Sequence, residues 1–151
     1  MKTIKIILVI VLGFSFSTVH SQSFSEKQQE REKNKVEVLT QEEQWDIQLW
    51  YFQQVENMEL SEEESILYSC NLLTYTTKIK RLDDLDQEYS YNEILMEMGT
   101  LIDELNSKVQ EFLSMESYLQ HLNIMDSLFD YVIEKMQNED YQLKVNSKIK
   151  V

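Results

Sequence analysis

Few side chains in this sequence can do covalent or metal chemistry. Past residue 21 there is one histidine, His121, and one cysteine, Cys70. A Ser–His–Asp arrangement would have to be drawn from scattered serines and aspartates. No strand–turn–helix pattern that would raise a nucleophile surrounds any of them, and there is no Gly-rich loop. His121 stands between Leu119 and Leu122, beside an apolar stripe, and reads as a flank residue rather than a base. The expectation is a protein that is not an enzyme and holds no cofactor. Oxygen ligation is the second chemistry available. Asp83, Asp84, Asp86 and Glu88 cluster in one stretch and could take calcium weakly. The glycine-containing loop of an EF-hand is missing, so a solvated acidic turn is expected and a metal-responsive binding protein is the alternative. Methionines at 96, 98, 115, 125 and 136 fall mostly on apolar stripes, where thioethers fill gaps. Binding through apolar surface is the third. Trp50, Tyr51, Phe52, Tyr68 and Tyr75 are apolar or aromatic residues that a client-binding face could use.

These residues must be positioned by helices. Proline is absent and the only glycines are Gly13 and Gly99, so the turn chemistry of a strand-rich fold is missing and the chain is expected to be all-α. The clearest periodicity runs from residue 90 to 136. Leu95, Met98, Ile102, Leu105, Val109 and Phe112 step by three and four, and Met115, Tyr118, Leu122, Met125, Phe129, Val132 and Met136 repeat the rhythm. The short joint at Leu113–Ser114 predicts an antiparallel hairpin. Upstream, Thr40 with Glu43 and Ser61 with Glu64 form capping boxes. The first opens a helix over about 41–58 with Trp45, Leu49, Phe52 and Val55 on one face. The second opens a helix over about 62–85 striped by Tyr68, Leu72, Tyr75, Ile79 and Leu82, its end frayed by acids at 83, 84 and 86. Ser90 with Glu93 caps the third helix and Ser114 the fourth. Four main amphipathic helices follow, paired as antiparallel hairpins. They form either an elongated up-down bundle or a flatter pair of hairpins that dimerises to cover an open face.

The first 21 residues have lysines at 2 and 5, an apolar run to Phe16, and Val19 and Ser21 at the positions a signal peptidase reads. A cleavable secretory signal is expected, with a periplasmic or secreted product and no membrane insertion after cleavage. Residues 22–38 are polar and read as a mobile arm, 39–137 as the helical domain, and 138–151 as a loose tail in which Tyr141, Leu143 and Val145 could pack locally. Net charge is −13, and within 39–137 only Lys78, Lys80, Arg81, Lys108 and Lys135 are basic. Such a surface repels nucleic acid and anionic headgroups. A single cysteine allows no internal disulfide, and with Ile66 and Leu73 on its helical face Cys70 is expected to be buried.

The joints carry a resemblance. Leu60-Ser61-Glu62-Glu63-Glu64 opens one helix and Leu113-Ser114-Met115-Glu116-Ser117 another: each a leucine, a hydroxyl cap, then an acidic first turn. This resembles the paired LTxxQ motifs of the Spy/CpxP family of small periplasmic helical proteins, with serine for threonine at 61 and 114, and Glu64 and Ser117 where glutamine would stand. Leu39-Thr40 keeps the Leu-Thr pair. The resemblance spans most of 39–137. It implies an elongated, curved helical dimer in the envelope-stress response, in which members act as holdase chaperones for unfolded clients, damp a sensor, or bind metal. The function expected is therefore an exported, non-enzymatic protein-binding module whose partners are unfolded or regulatory proteins. A dedicated partner or inhibitor of one protein is a further alternative.

Overall fold

The computed structural model describes residue 29 and residues 32–147; the expected signal peptide, the start of the arm and residues 148–151 lie outside the described residues. The chain is all-α. In order, α1 is Gln41–Glu56, α2 Glu62–Ile79, α3 Tyr91–Gln110, α4 Met115–Met136 and α5 Glu139–Asn146. Each start has a local cause. Thr40, Ser61 and Ser90 each accept a hydrogen bond from the backbone N–H three residues on, and Glu43, Glu64 and Glu93 reach back to the capping N–H. These reciprocal bonds satisfy donors that an open helix end would leave unpaired. Ser114 and Asn138 cap the last two helices from their side chains alone. The second helix stops at Ile79, six residues short of the expected end. Beyond it Asp84 N–H and Leu85 N–H bond to turn and arm carbonyls, Arg81 O and Asn34 O, instead of continuing the ladder.

Four helices make an up-down-up-down bundle. Neighbours are α2 with α3, α3 with α4, and α4 with α1. The antiparallel sense of α1 and α4 is visible at both ends: Glu43 pairs with Lys135, and Ser117 Oγ lies 3.4 Å from Met58 O. That ion pair and the Thr40 cap hold the Glu43 carboxyl down at about 2 and raise the Lys135 ammonium. The interior divides along the axis. One half gathers Tyr51, Met58, Tyr68, Tyr75, Leu105, Val109, Leu113, Ile124 and Met125. The other gathers Val36, Leu82, Ile94, Met98, Met136, Tyr141 and Val145. Each such side chain removed from water contributes roughly 1.5–3 kcal/mol before the entropy of ordering it is subtracted.

Three expectations are corrected by the packing. The first concerns α1, where Trp45 and Leu49 are exposed while Tyr51 is buried and Trp50 half-buried. The helix has apolar residues on most of its circumference, so spacing alone did not choose the face; packing of Trp50, Tyr51 and Val55 on the core did. The second concerns the tail. Asn138 caps a helix with Glu139 and Asp140 in its first turn, Tyr141 and Val145 one turn apart are buried, and Leu143 points out. Part of the arm is docked too: Val36 is buried, and Asn34 O accepts from Leu85 N–H at 2.7 Å. The third is Cys70, which is exposed together with Ile66 and Leu73. Among the described residues no helix is long and apolar enough to cross a membrane.

Candidate functional site

At one level of the bundle, each of the four main helices contributes one polar side chain to the interior. Tyr68 Oη on α2 is 3.0 Å from His121 Nδ1 on α4, and His121 Nε2 is 2.9 Å from Asn106 Oδ1 on α3. The Tyr51 hydroxyl on α1 bonds to Tyr68. With Asn106 Oδ1 as acceptor, Nε2 carries the imidazole proton and Nδ1 accepts from Tyr68 O–H. The Tyr68 oxygen then accepts from Tyr51, so the chain runs Tyr51 to Tyr68 to His121 to Asn106 with each donor matched to an acceptor. Tyr68 meets the imidazole edge-on and Tyr118 lies over it. Burial pushes His121 down to about 4 and Tyr68 up to about 12. All four groups are therefore neutral at pH 7.

His121 is 0% exposed. Rather than flanking the stripe of α4, it is the stripe's centre. A neutral imidazole sealed from solvent cannot take a proton from a solvent-borne substrate, so the layer serves packing. Leaving any member out would strand a buried partner, and only one helix register joins all four, so the layer specifies alignment as well as stability.

The acidic turn between α2 and α3 is organised around other partners. Tyr141 Oη donates to Asp83 Oδ2 at 3.0 Å, and Arg81 meets Asp84 at 3.1 Å and Asp86 at 3.8 Å. Asp83 and Asp84 are buried, while Asp86 and Glu88 are exposed. Among the described residues no group of three or more His, Cys, Asp or Glu side chains is gathered to hold a metal ion. Asp83 faces a phenol and Asp84 and Asp86 a guanidinium, so the turn expected to be solvated is half buried, and its four carboxylates are not gathered as the alternative metal reading would need.

The expected client-binding residues divide. Tyr51, Tyr68 and Tyr75 are buried and belong to the core, so they are withdrawn from that role; Trp50 and Phe52 are half-buried. The exposed apolar surface of the first hairpin lies elsewhere. Trp45 and Leu49 on α1 are 46% and 61% exposed and lie one turn apart, facing away from Tyr51, while Phe52 is half-buried with its ring near that of Tyr51. On α2, Ile66, Leu67, Cys70 and Leu73 point away from Tyr68 and Tyr75. Periodicity found both rows but could not say that they face outward.

The motif residues sit together at one end of the bundle. Leu60 packs on the core, Ser61 and Glu64 close their capping box, Leu113 is buried, and Ser114 Oγ caps α4 by accepting from Ser117 N–H at 3.1 Å. The bond from Ser117 Oγ to Met58 O ties the two joints to each other. A shallow depression of about 460 Å³ lies beside α2 and α3, lined by Tyr75, Thr100, Asp103, Glu104, Ser107 and Lys108. No protein-family model, no curated protein and no solved structure matches the chain.

Proposed function

We propose that this chain is an exported, non-enzymatic protein-binding module. It holds segments of other polypeptides on the outward row of α1, as a Spy/CpxP-like holdase or sensor regulator would. One observation carries the reading: Trp45 and Leu49 stay in water although the core beneath them is complete. Leaving an indole and a leucine uncovered on one helix face forgoes several kcal/mol of burial, which a bound apolar segment would recover. The row is flanked by Glu42, Asp46 and Glu56, so a complex would keep an acidic, soluble rim. Half-exposed aromatics suit clients of varied sequence, because they bury area without demanding a fixed hydrogen-bond pattern.

The test is light scattering from a chemically unfolded client diluted into buffer with the protein at low molar excess. Suppression of aggregation is expected for two unrelated clients, weakened several-fold by Leu49→Glu and little changed by Met96→Glu, which alters an exposed residue on α3. Suppression of neither client would overturn the holdase form. Binding of one protein alone would replace it with a dedicated partner.

A further inference from the structure

On the reading that the outward row of α1 holds other polypeptides, we infer that the segment held is a basic amphipathic helix of another protein. It lies along the open side between α1 and α2, with its lysines or arginines against Glu42, Asp46 and Glu56.

The α1–α2 side is the least closely packed of the four sides of the bundle, and the Tyr51–Tyr68 bond spans its floor. Apolar side chains border it on both helices. On α1, Glu43 marks the flank turned to α4, because it pairs with Lys135. At about 100° per residue, Trp45 and Phe52 stand roughly opposite Glu43 and so border α2. On α2, Tyr75 marks the flank turned to α3, because it lines the depression shared with Asp103 and Lys108. Ile66 and Leu73 stand roughly opposite Tyr75 and so border α1; they are 47% and 40% exposed. Tyr51 meets Tyr68 on antiparallel helices, which sets Trp45 level with Leu73 and Phe52 level with Ile66. The four make an apolar patch about 10 Å long that straddles both helices.

Charge names the occupant. Between Gln41 and Thr77 eight side chains are acidic and none is basic. Glu43 and Glu64 are engaged by Lys135 and Ser61. Glu42, Asp46 and Glu56 are exposed on the outward face of α1, and none of them forms an ion pair among the described residues. Glu62 and Glu63 open α2 level with Glu56, so the patch has carboxylates at both ends. The Lys78 ammonium does not screen them, because it lies over the Tyr75 ring on the other flank of α2. The last turn of α1 has no basic residue, whereas Lys78, Lys108 and Lys135 end the other three long helices. Glu56 therefore opposes the helix dipole without local compensation, and an incoming lysine or arginine relieves it. A second copy of this chain would set acids against acids. A helix fits the shape, since residues at i, i+3, i+4 and i+7 lay an apolar stripe on the patch with basic side chains beside it. About 14 residues at 1.5 Å each span Glu42 to Glu56.

Fluorescence anisotropy of labelled peptides with the whole protein tests this. The probes are a leucine–lysine amphipathic helix of about four turns, its leucine–glutamate counterpart, and a scrambled leucine–lysine peptide of the same composition. The leucine–lysine helix should bind at micromolar concentration, at least tenfold more tightly than either of the others, and weaken several-fold as salt is raised. Asp46→Lys/Glu56→Lys should lower its affinity at least tenfold and raise that of the leucine–glutamate helix, with helicity unchanged by circular dichroism. Asp126→Lys/Asp130→Lys, two exposed acids of α4, changes net charge equally and should alter the affinity less than twofold. Equal weakening by the two pairs would overturn the site, because net charge alone would explain the binding. Equal affinity for the scrambled peptide would overturn the helical form. Equal binding of the lysine and glutamate helices, both lowered by Trp45→Ser, would overturn the basic class and leave α1 as a binding face. Binding of neither would remove the α1 reading as well.

Discussion

The two halves of the bundle bury tyrosine hydroxyls by different means. In the first, Tyr51 and Tyr68 enter a chain of neutral groups that ends on His121 and Asn106, one side chain from each main helix. In the second, Tyr141 of the terminal helix donates to Asp83, a carboxylate in the α2–α3 turn, and Asn146 accepts from Tyr91 N–H at 3.3 Å. Burial and the adjacent Asp83 charge hold the Tyr141 phenol well above its ordinary value. The first arrangement locks four long helices in one register. The second clasps a short helix and a piece of arm over the open end. Short terminal elements with few partners open first, so the α5 end should exchange and unfold locally while the His121 layer persists to global unfolding.

The largest effect that would break this contrast is loss of His121. His121→Ala leaves Tyr68 and Asn106 without their partner and opens a cavity, and should cost about 3–5 kcal/mol in urea unfolding. Next is pH. Above about 6.5 the imidazole is neutral in both states and contributes no slope. Between about 6.5 and the folded value of about 4, the unfolded chain binds a proton that the folded chain does not. Stability should therefore fall as pH falls through that window, by about 3 kcal/mol, and His121→Gln should flatten the slope. Tyr141→Phe should leave the slope intact and cost only about 1–2 kcal/mol, with faster hydrogen exchange confined to α5 and the α3 start. The smallest effect sits at the α1–α2 joint. Glu59 is a non-glycine residue at φ 50°, so Glu59→Gly should stabilise by roughly 0.5–1 kcal/mol and raise the melting temperature slightly.

The elements that sequence shows best are those fixed by local chemistry. The capping boxes at Thr40, Ser61 and Ser90 are short-range hydrogen bonds, and the α2 row Tyr68, Leu72 and Tyr75 keeps the three-and-four spacing of a buried stripe, so both are visible in the residues. The start and end of α4 at Met115 and Met136 were readable for the same reason. What could not be read depends on distant partners. Tyr51 packs inward with Trp50 and Val55 against a core drawn from the other helices, and Trp45 and Leu49 are left facing outward. His121 looked like a flank residue because a polar side chain in a core is legible only through Tyr68 and Asn106, 53 and 15 residues away. The alternation Tyr141, Leu143, Val145 concealed a helix, since only its first and last members are buried. A signal did exist there: Asn138 followed by two acids is a helix start.

The central claim is that inward tyrosines and histidine build the scaffold while the outward row of α1 meets other proteins. The protein has two tryptophans, Trp45 and Trp50, so Trp50→Phe leaves Trp45 as the sole indole. Its emission should be recorded while a tryptophan-free unfolded client is titrated in, beside the aggregation assay. The account expects a saturable blue shift over the concentrations at which aggregation is suppressed. Suppression with an unchanged Trp45 spectrum would contradict it and move the binding surface off α1.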